Sequence, residues 1–266
     1  MGLLLQNINK FGKEYVAANG ILDLVQIKKW FGNQKAIKRN CSLNEVEFEP
    51  KSAVMIVGAS GIGKTTYAEE FLSTHPEFEF CSYDECYGQA YSQANERQNI
   101  GNQETDINTK MLFEKIVRNA NRHGKNILLD GLFLNCAFRG AILSTLQTFG
   151  YKIHVVYFTK KYVLEKKEES CTRRAVELYL FYEFSKKKVS TMVEALRYRK
   201  EIMKHYCEAC HTTPEEVYKK YSSNETVKEI AKSLMELMQN EMDNNGIETQ
   251  EINEVFTFGA HYYYEM

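Results

Sequence analysis

The sequence predicts an α/β fold of three layers, in which a parallel β-sheet lies between helices and is followed by further helices. Segments with the pattern of strands alternate four times with helical segments between residues 53 and 158, which is typical of βαβ units with right-handed crossovers. Residues 53–57 (AVMIV) are apolar throughout, as expected of a strand buried on both faces of a parallel sheet. A glycine-rich segment, Gly58 to Thr65, follows this strand directly and leads into a predicted helix.

The remaining elements of this core follow from turn residues and from the spacing of apolar residues. Pro76 ends the first helix, because the residue before a proline disfavours helical geometry. Gly124 and Gly150 are placed to close the next two helices at their C-termini. The predicted helices are Lys64 to about Thr74, 105–123 and Asn135 to Phe149, and the predicted strands are 78–82, 126–130 and 152–158.

The flanking regions carry weaker patterns. Apolar spacing predicts a helix over residues 10–31, and the alternation in 45–49 (EVEFE) predicts a half-exposed strand. From about residue 160 onward no segment has a convincing strand pattern, and residues 160–242 are predicted to be helical, with Pro214 starting one segment. The aromatic tail VFTFGAHYYYEM docks either on the body of the protein or on a protein partner, and the sequence does not decide between these alternatives.

These patterns predict four parts. They are an N-terminal helical and basic extension (1–45), a core that contains the glycine-rich segment (46–160), a lid and helical region (161–210), and a helical C-terminal appendage with the tail (211–266). The extension mixes basic and aromatic residues around Trp30 and Phe31. This mixture suits either a surface facing nucleic acid or phosphate or, as we favour, a solvated helix end whose aromatic side chains pack on the core.

Composition limits the partners of the protein. The chain has 266 residues and a formal net charge of −1, so no overall field attracts it to nucleic acid or to an anionic membrane. Its N-terminus has an apolar run of only three leucines, and no stretch approaches the roughly 18 apolar residues of a membrane span. We therefore expect a cytoplasmic protein with no membrane partner.

The seven cysteines are irregularly spaced, which argues against a disulfide framework. Cys207, Cys210 and His211 spell CxxCH, the pattern of haem attachment, and with His205 they also form a conceivable zinc set. We favour the alternative that these are ordinary residues flanking a helix, since no second pair of ligands follows.

The segment from Gly58 to Thr65 matches G-x-x-x-x-G-K-[ST] at every fixed position, which predicts a P-loop that binds ATP or GTP. Glycines let consecutive backbone N–H groups point at one anion, and the start of the following helix adds its positive dipole end. The Lys64 ammonium reaches the β- and γ-phosphates, and the Thr65 hydroxyl is a ligand of Mg²⁺. The predicted nucleotide-binding residues are Gly58, Ala59, Ser60, Gly61, Ile62, Gly63, Lys64, Thr65 and, with a weaker contact, Thr66.

A P-loop enzyme also needs an acidic residue at the end of a neighbouring strand to hold the magnesium shell. Asp130 closes the apolar strand NILLD and fits this role. The alternative is a turn or helix-capping residue after the strand. With Thr65, Asp130 forms the predicted metal site.

Other motifs narrow the class of P-loop protein. The LSGGQ-like signature of transporter ATPases and the N-K-x-D pattern of G proteins are both missing. The segments SYDECYG, GKNILLDGLFLNCAFRG and GYKIHVVYF, followed by an arginine-bearing helical segment, occur in an order that resembles the polynucleotide-kinase and zeta-toxin-like P-loop kinases, the AAA_33-type group. The resemblance covers about residues 50–200 and places Asp130, Asn135 and Arg139 in register with the third-strand motif, although Gly131, Leu132 and Phe133 replace its usual polar residues.

The resemblance implies roles for further residues. By this resemblance, Asp84, which follows the second strand, is expected to be the base that accepts the proton of the attacking hydroxyl. Glu85 is an adjacent alternative, and a plain turn residue is the other interpretation of Asp84. Arg139 contacts the acceptor or orders Asp84, or else is a surface arginine. The resemblance also implies a lid arginine that closes over the γ-phosphate. Arg173 and Arg174 are the candidates, and the sequence does not choose between them; Arg197 and Arg199 are weaker candidates.

Three functions remain open at this stage. The leading one is an ATP- and Mg²⁺-dependent kinase that moves the γ-phosphate to a hydroxyl of a nucleic-acid 5′ end, a nucleotide or a small molecule such as a sugar. The second is a nucleotide-dependent switch or ATPase that acts on a protein or nucleic-acid partner through the C-terminal region. The third, a non-catalytic nucleic-acid-binding module, is poorly supported by the net charge.

Overall fold

The computed structural model describes residues 2–17, 29–32, 35–96, 102–131, 133–184, 192–244 and 257–266. The chain divides into two compact units. The first unit comprises Met1–Ala59, Gly63–Thr159 and Asn244–Met266, and the second comprises Ser60–Ile62 and Lys160–Asp243. The short loop segment Ser60–Ile62 therefore clusters with the second unit, while its flanks belong to the first.

A parallel sheet forms the centre of the first unit, as predicted. Its strand order is β1-β6-β5-β2-β4-β3, and every neighbouring pair in the described chain is parallel. All six residues of β2 and all five of β4 are buried, which explains their unbroken apolar runs. The strands are β1 (Ile37–Lys38), β2 (Ser52–Val57), β3 (Phe78–Ser82), β4 (Asn126–Asp130), β5 (Lys152–Tyr157) and β6 (Tyr262–Glu265).

Helices accompany this sheet, and the three predicted in the core are confirmed within a few residues. The helices of the first unit are α1 (Leu3–Ala17), α2 (Lys64–Thr74), α3 (Tyr83–Glu96), α4 (Asn102–Arg122) and α5 (Cys136–Thr148). Asn135 caps α5, its side-chain oxygen accepting the N–H of Phe138. Gly124 and Gly150 have φ values of 63° and 77°, the left-handed conformation that ends helices at low cost for glycine.

Two sequence predictions outside the core were wrong. Residues 45–49 are not a strand: Leu43–Glu45 form a 3₁₀ turn, which Ser42 and Glu45 close with a reciprocal capping box. The tail also contains a strand that was not expected, because β6 pairs with β5 on one side and β1 on the other. The helix predicted over 10–31 begins earlier, at Leu3, and ends at Ala17; residues 18–28 lie outside the described residues.

The second unit is helical, as predicted for the region after residue 160. Its helices are α6 (Lys160–Phe184), α7 (Met192–Cys210), α8 (Pro214–Tyr221) and α9 (Glu225–Asn244). Pro214 starts α8, where Thr213 and Glu216 form a capping box. The buried residues of α9 recur at helical spacing, at Val227, Ala231, Leu234, Met238 and Met242. Within the described residues, no helix has the length and apolarity needed to cross a membrane.

Candidate active site

The glycine-rich loop lies between β2 and α2, at the strand-to-helix bend that the sequence predicts. β2 is the strand at which the chain order reverses, with β4 and β3 on one side and β5, β6 and β1 on the other. In open parallel sheets, ligands bind beyond the carboxyl ends of the strands at such a reversal. The loop therefore stands at the position where this architecture forms its ligand crevice.

Two glycines of the loop adopt conformations that other residues avoid. Gly61 has φ +79° and Gly63 has φ +100°, both in the left-handed region. Gly63 is also the N-cap of α2. Left-handed turns of this kind form backbone nests that bind anions, and the helix N-terminus adds a positive dipole end. The loop thus has the backbone geometry that a phosphate group requires.

Lys64 is folded back along the loop. Its side chain is buried, and its Nζ donates a hydrogen bond of 2.8 Å to the carbonyl oxygen of Ala59. The ammonium is therefore held beside the loop backbone rather than extended into solvent. A buried cation at this position stabilises negative charge placed in the nest.

Thr65 and Asp130 are in direct contact. The Thr65 hydroxyl donates a 2.8 Å hydrogen bond to Oδ2 of Asp130 at the end of β4. Burial raises the pKa of the Asp130 carboxyl above its ordinary value, while the Thr65 hydrogen bond and the nearby charge of Lys64 act in the opposite direction. A carboxylate and a hydroxyl oxygen side by side are hard ligands of the type that Mg²⁺ prefers. These two side chains fit the predicted metal site.

Asp84 stands at the same edge of the sheet. It lies in the first turn of α3, two residues beyond Ser82, which pairs in register with Asp130. Its negative charge contributes to raising the pKa of the Asp130 carboxyl. Asp84 and its neighbour Glu85 are both exposed. Because successive residues of a helix point about 100° apart, their two carboxylates face different directions. Asp84 is thus accessible to an acceptor beside the predicted metal ligands.

Two of the three roles predicted for Arg139, contact with the acceptor and a surface position, do not fit its surroundings. It is fully buried rather than on the surface, and its Nη1 donates to the carbonyl oxygens of Phe133 and Leu134, the latter at 2.9 Å. Its guanidinium also lies 5.0 Å from the centre of the Phe258 ring. An acceptor has no access to it, so we correct the substrate-binding assignment: Arg139 holds the loop between β4 and α5 together.

The two candidate lid arginines have different surroundings within the second unit. Arg173 is half exposed, pairs with Glu169 at 3.3 Å and lies 5.0 Å from the ring centre of Tyr218. Arg174 instead approaches the glycine-rich loop: its Nη1 is 2.7 Å from where a Cβ on Gly61 would stand. The side chains of Arg197 and Arg199 lie outside the described residues.

Three contributions to the site were missed by sequence reasoning. The carboxylate of Glu241 in α9 accepts hydrogen bonds from both the N–H and the hydroxyl of Ser60. The Ser170 hydroxyl of α6 donates to the carbonyl of Gly61. Tyr87 and Tyr91 of α3 lie one and two turns beyond Asp84, with ring centres 6.2 Å apart. The first two contacts join residues more than 100 positions apart, so a local sequence pattern cannot predict them.

The cysteine and histidine residues near the end of α7 do not form a cluster. Cys207 is partly exposed and Cys210 is exposed, and both are free thiols. Among the described residues, no group of three histidine, cysteine or acidic side chains is arranged to hold a metal ion. The alternative that these are ordinary residues at a helix end therefore remains the favoured interpretation.

The parallel sheet and the loop after β2 define an α/β protein of the P-loop NTPase type. Residues 54–170 match the AAA_33 family model, described as an AAA domain, and this match confirms the predicted resemblance to P-loop kinase-like proteins over that segment. No curated protein matches the chain. Among solved structures, a chain from the PezAT chromosomal toxin-antitoxin system of the human pathogen Streptococcus pneumoniae is similar, with 15% identity and a TM-score of 0.38, over 88% of this chain and 97% of that chain.

Proposed function

We propose that the protein is a phosphotransferase that moves the γ-phosphate of ATP to a hydroxyl group. The observation that carries the proposal is the contact between Thr65 and Asp130 at 2.8 Å, next to the buried Lys64 and close to the exposed Asp84. A phosphate nest, a pair of magnesium ligands and an accessible carboxylate are the parts that hydroxyl phosphorylation requires.

Each side chain has a definite task in this proposal. The loop amides and Lys64 bind the β- and γ-phosphates, and Thr65 with Asp130 would hold Mg²⁺, which neutralises phosphate charge when bound. Asp84 accepts the proton of the acceptor hydroxyl as the hydroxyl oxygen attacks the γ-phosphorus; the bond from the γ-phosphorus to the β–γ bridging oxygen breaks, and ADP leaves. Arg174, which lies beside Gly61, compensates the negative charge that develops on the transferred group. Arg173 is occupied by Glu169 and Tyr218 and is the weaker choice.

The face of α3 that carries Asp84 favours an acceptor with a planar ring. Tyr87 and Tyr91 follow Asp84 at positions i+3 and i+7, so the three residues share one helix face. Both tyrosines are only partly buried. Tyrosine rings stack on nucleobases. Of the acceptors considered, a nucleotide or a nucleic-acid 5′ end therefore suits this face better than a simple sugar.

The test is phosphate transfer from γ-labelled ATP to a panel of nucleosides, nucleotides, oligonucleotides with 5′-hydroxyl ends, and sugars. Substituting Asp84→Asn is expected to reduce transfer by roughly 10²- to 10⁴-fold, because a positioned base is lost, while ATP binding is retained. Glu85→Gln is the matched control, since it removes the adjacent carboxylate on another side of the helix. Transfer that survives in D84N but fails in E85Q would move the role of base to Glu85.

A second candidate function is a nucleotide-dependent switch or ATPase. It is favoured by the contacts that Ser60 and Gly61 make with α9 and α6, because such contacts link the loop to helices available to a partner. This function predicts hydrolysis of ATP with no labelled acceptor, and rates that are nearly the same in wild type and D84N. The acceptor panel therefore distinguishes the two functions.

A further inference from the structure

The tip of the phosphate-binding loop already holds an anion that belongs to the protein. Oε2 of Glu241 accepts the backbone N–H of Ser60 at 2.8 Å, and Oε1 accepts the Ser60 hydroxyl at 2.7 Å. Both oxygens of one carboxylate are thus bound by one residue of the loop. Charge-assisted hydrogen bonds to backbone N–H groups are also how a nest of this type receives a phosphate oxygen.

The position of Glu241 is fixed by the packing of its helix. Met238 and Met242, one turn before and next to it, are buried, and the methyl carbon of Met238 lies 3.7 Å from where a Cβ on Gly61 would stand. The face of α9 that carries Glu241 therefore lies against the loop tip. The contact is built into the second unit rather than being a chance approach of a long surface side chain.

Neighbouring contacts hold the same tip. The Ser170 hydroxyl donates to the carbonyl oxygen of Gly61, and the guanidinium of Arg174 lies beside the same glycine. A triphosphate brings several negative charges to this loop. Like charges a few ångströms apart in a partly desolvated site repel strongly, so the Glu241 carboxylate and a bound phosphate tail disfavour each other, whereas Arg174 favours the phosphate.

From these contacts, and relying on the proposed binding of ATP by this loop, we infer that Glu241 is an intramolecular competitor of the nucleotide phosphates. It occupies the Ser60 amide while the nucleotide is absent and must release it for tight binding. Nucleotide binding is thereby coupled to the attachment of α9 to the loop tip. Reciprocity then requires that whatever draws α9 away from Ser60 raises the affinity for nucleotide by the same factor.

The test is the affinity of purified full-length protein for ATP, tripolyphosphate and adenosine, measured by calorimetry with Mg²⁺ and without acceptor. Glu241→Gln preserves the shape of the side chain and removes its charge. We expect E241Q to bind ATP and tripolyphosphate about tenfold more tightly, within the range usual for coupled sites, and to bind adenosine no differently. Glu236→Gln, an exposed glutamate of the same helix, is the matched control and should leave all three affinities unchanged.

Several outcomes would overturn the inference. Unchanged or weaker ATP binding in E241Q would show that the carboxylate does not compete, and equal gains in E241Q and E236Q would show only a general charge effect. If E241Q unfolds at a lower temperature than E236Q, Glu241→Asp provides the second variant: it keeps the charge, shortens the reach to Ser60, and should still tighten ATP binding. The failure of the proposed kinase activity is distinguishable, since it appears as ATP binding without labelled acceptor.

Discussion

The two arms of the phosphate-binding loop differ in what holds them. The arm that enters α2 is organised by the first unit: Lys64 bonds to the carbonyl of Ala59, and Thr65 bonds to Asp130 at the end of β4. The tip, Ser60–Ile62, clusters with the second unit, where Glu241 and Ser170 bind it. One arm carries the groups proposed to attract phosphate and Mg²⁺, and the other is held by a carboxylate that repels phosphate.

One short motif thus combines a part that is preorganised with a part that is held by an internal anion. Groups that are fixed before the substrate arrives need no reorganisation during the reaction. Such preorganisation is the usual source of electrostatic catalysis. A tip held by an internal anion instead makes binding depend on a conformational preference of the chain. Variants in each arm should therefore change different quantities.

The largest effect is expected in the arm that enters α2. Lys64→Ala removes the buried ammonium beside the loop, and we expect ATP-dependent phosphate transfer to fall by roughly 10²- to 10³-fold, as when a single preorganised donor to developing charge is lost. ATP affinity measured by calorimetry should fall as well. A K64A protein that binds and transfers like wild type would contradict the assignment of this loop as the phosphate site.

A smaller effect should separate the two neighbouring arginines of α6. Arg174→Ala removes the guanidinium beside Gly61, and we expect transfer to fall by about tenfold or more, because a cation near the γ-phosphate is lost. Arg173→Ala breaks contacts with Glu169 and Tyr218 and should leave the rate nearly unchanged. Steady-state kinetics of both variants at saturating ATP measure this difference. The reverse order would assign the lid role to Arg173.

The smallest effect concerns stability and pH. Because burial holds the pKa of Asp130 above its ordinary value, its ionised form costs stability. This cost grows as the pH rises from the ordinary carboxyl pKa to the native-state pKa and is constant above it. In the absence of Mg²⁺ and nucleotide, Asp130→Asn should therefore raise the unfolding temperature at pH 7.5 by a few degrees, or about 1 kcal/mol. The gain should shrink as the pH is lowered, since wild-type Asp130 then becomes neutral too.

Thermal unfolding of D130N and wild type at several pH values checks this expectation. The same variant should lose its Mg²⁺-dependent ATP binding, because a metal ligand has been replaced by an amide. Lower stability in D130N would instead mean that Lys64 and Thr65 compensate the buried charge fully.

Local chemistry explains why so much of the core could be predicted from sequence. The apolar run 53–57, the glycines of the loop and the caps at Asn135, Gly124 and Gly150 each specify a backbone conformation through neighbours in the chain. Sequence reasoning also paired Thr65 with Asp130 at the end of a neighbouring strand, and the structure places these two side chains in hydrogen-bond contact at 2.8 Å.

Predictions failed where the outcome depended on distant partners. Residues 45–49 alternate like a strand, yet the described strands leave them unpaired and a capping box beside them forms a turn. The YYYE segment has no alternation, but β5 and β1 supply partners on both of its edges. Arg139 was expected at the acceptor or on the surface, and only the packed structure shows it buried against carbonyl oxygens.

By itself, the sequence determined the parallel core, the position of the glycine-rich loop at a strand-to-helix bend and the pairing of Thr65 with Asp130, because turn residues, caps and apolar periodicity act over a few residues. Only the tertiary structure decided that Tyr262–Glu265 joins the sheet, that Arg174 rather than Arg173 approaches Gly61, and that Glu241 binds Ser60. Such contacts depend on which surfaces meet after folding. The contact between Ser60 and Glu241, for example, joins residues 181 positions apart, and such energies appear only when packing has brought the partners together.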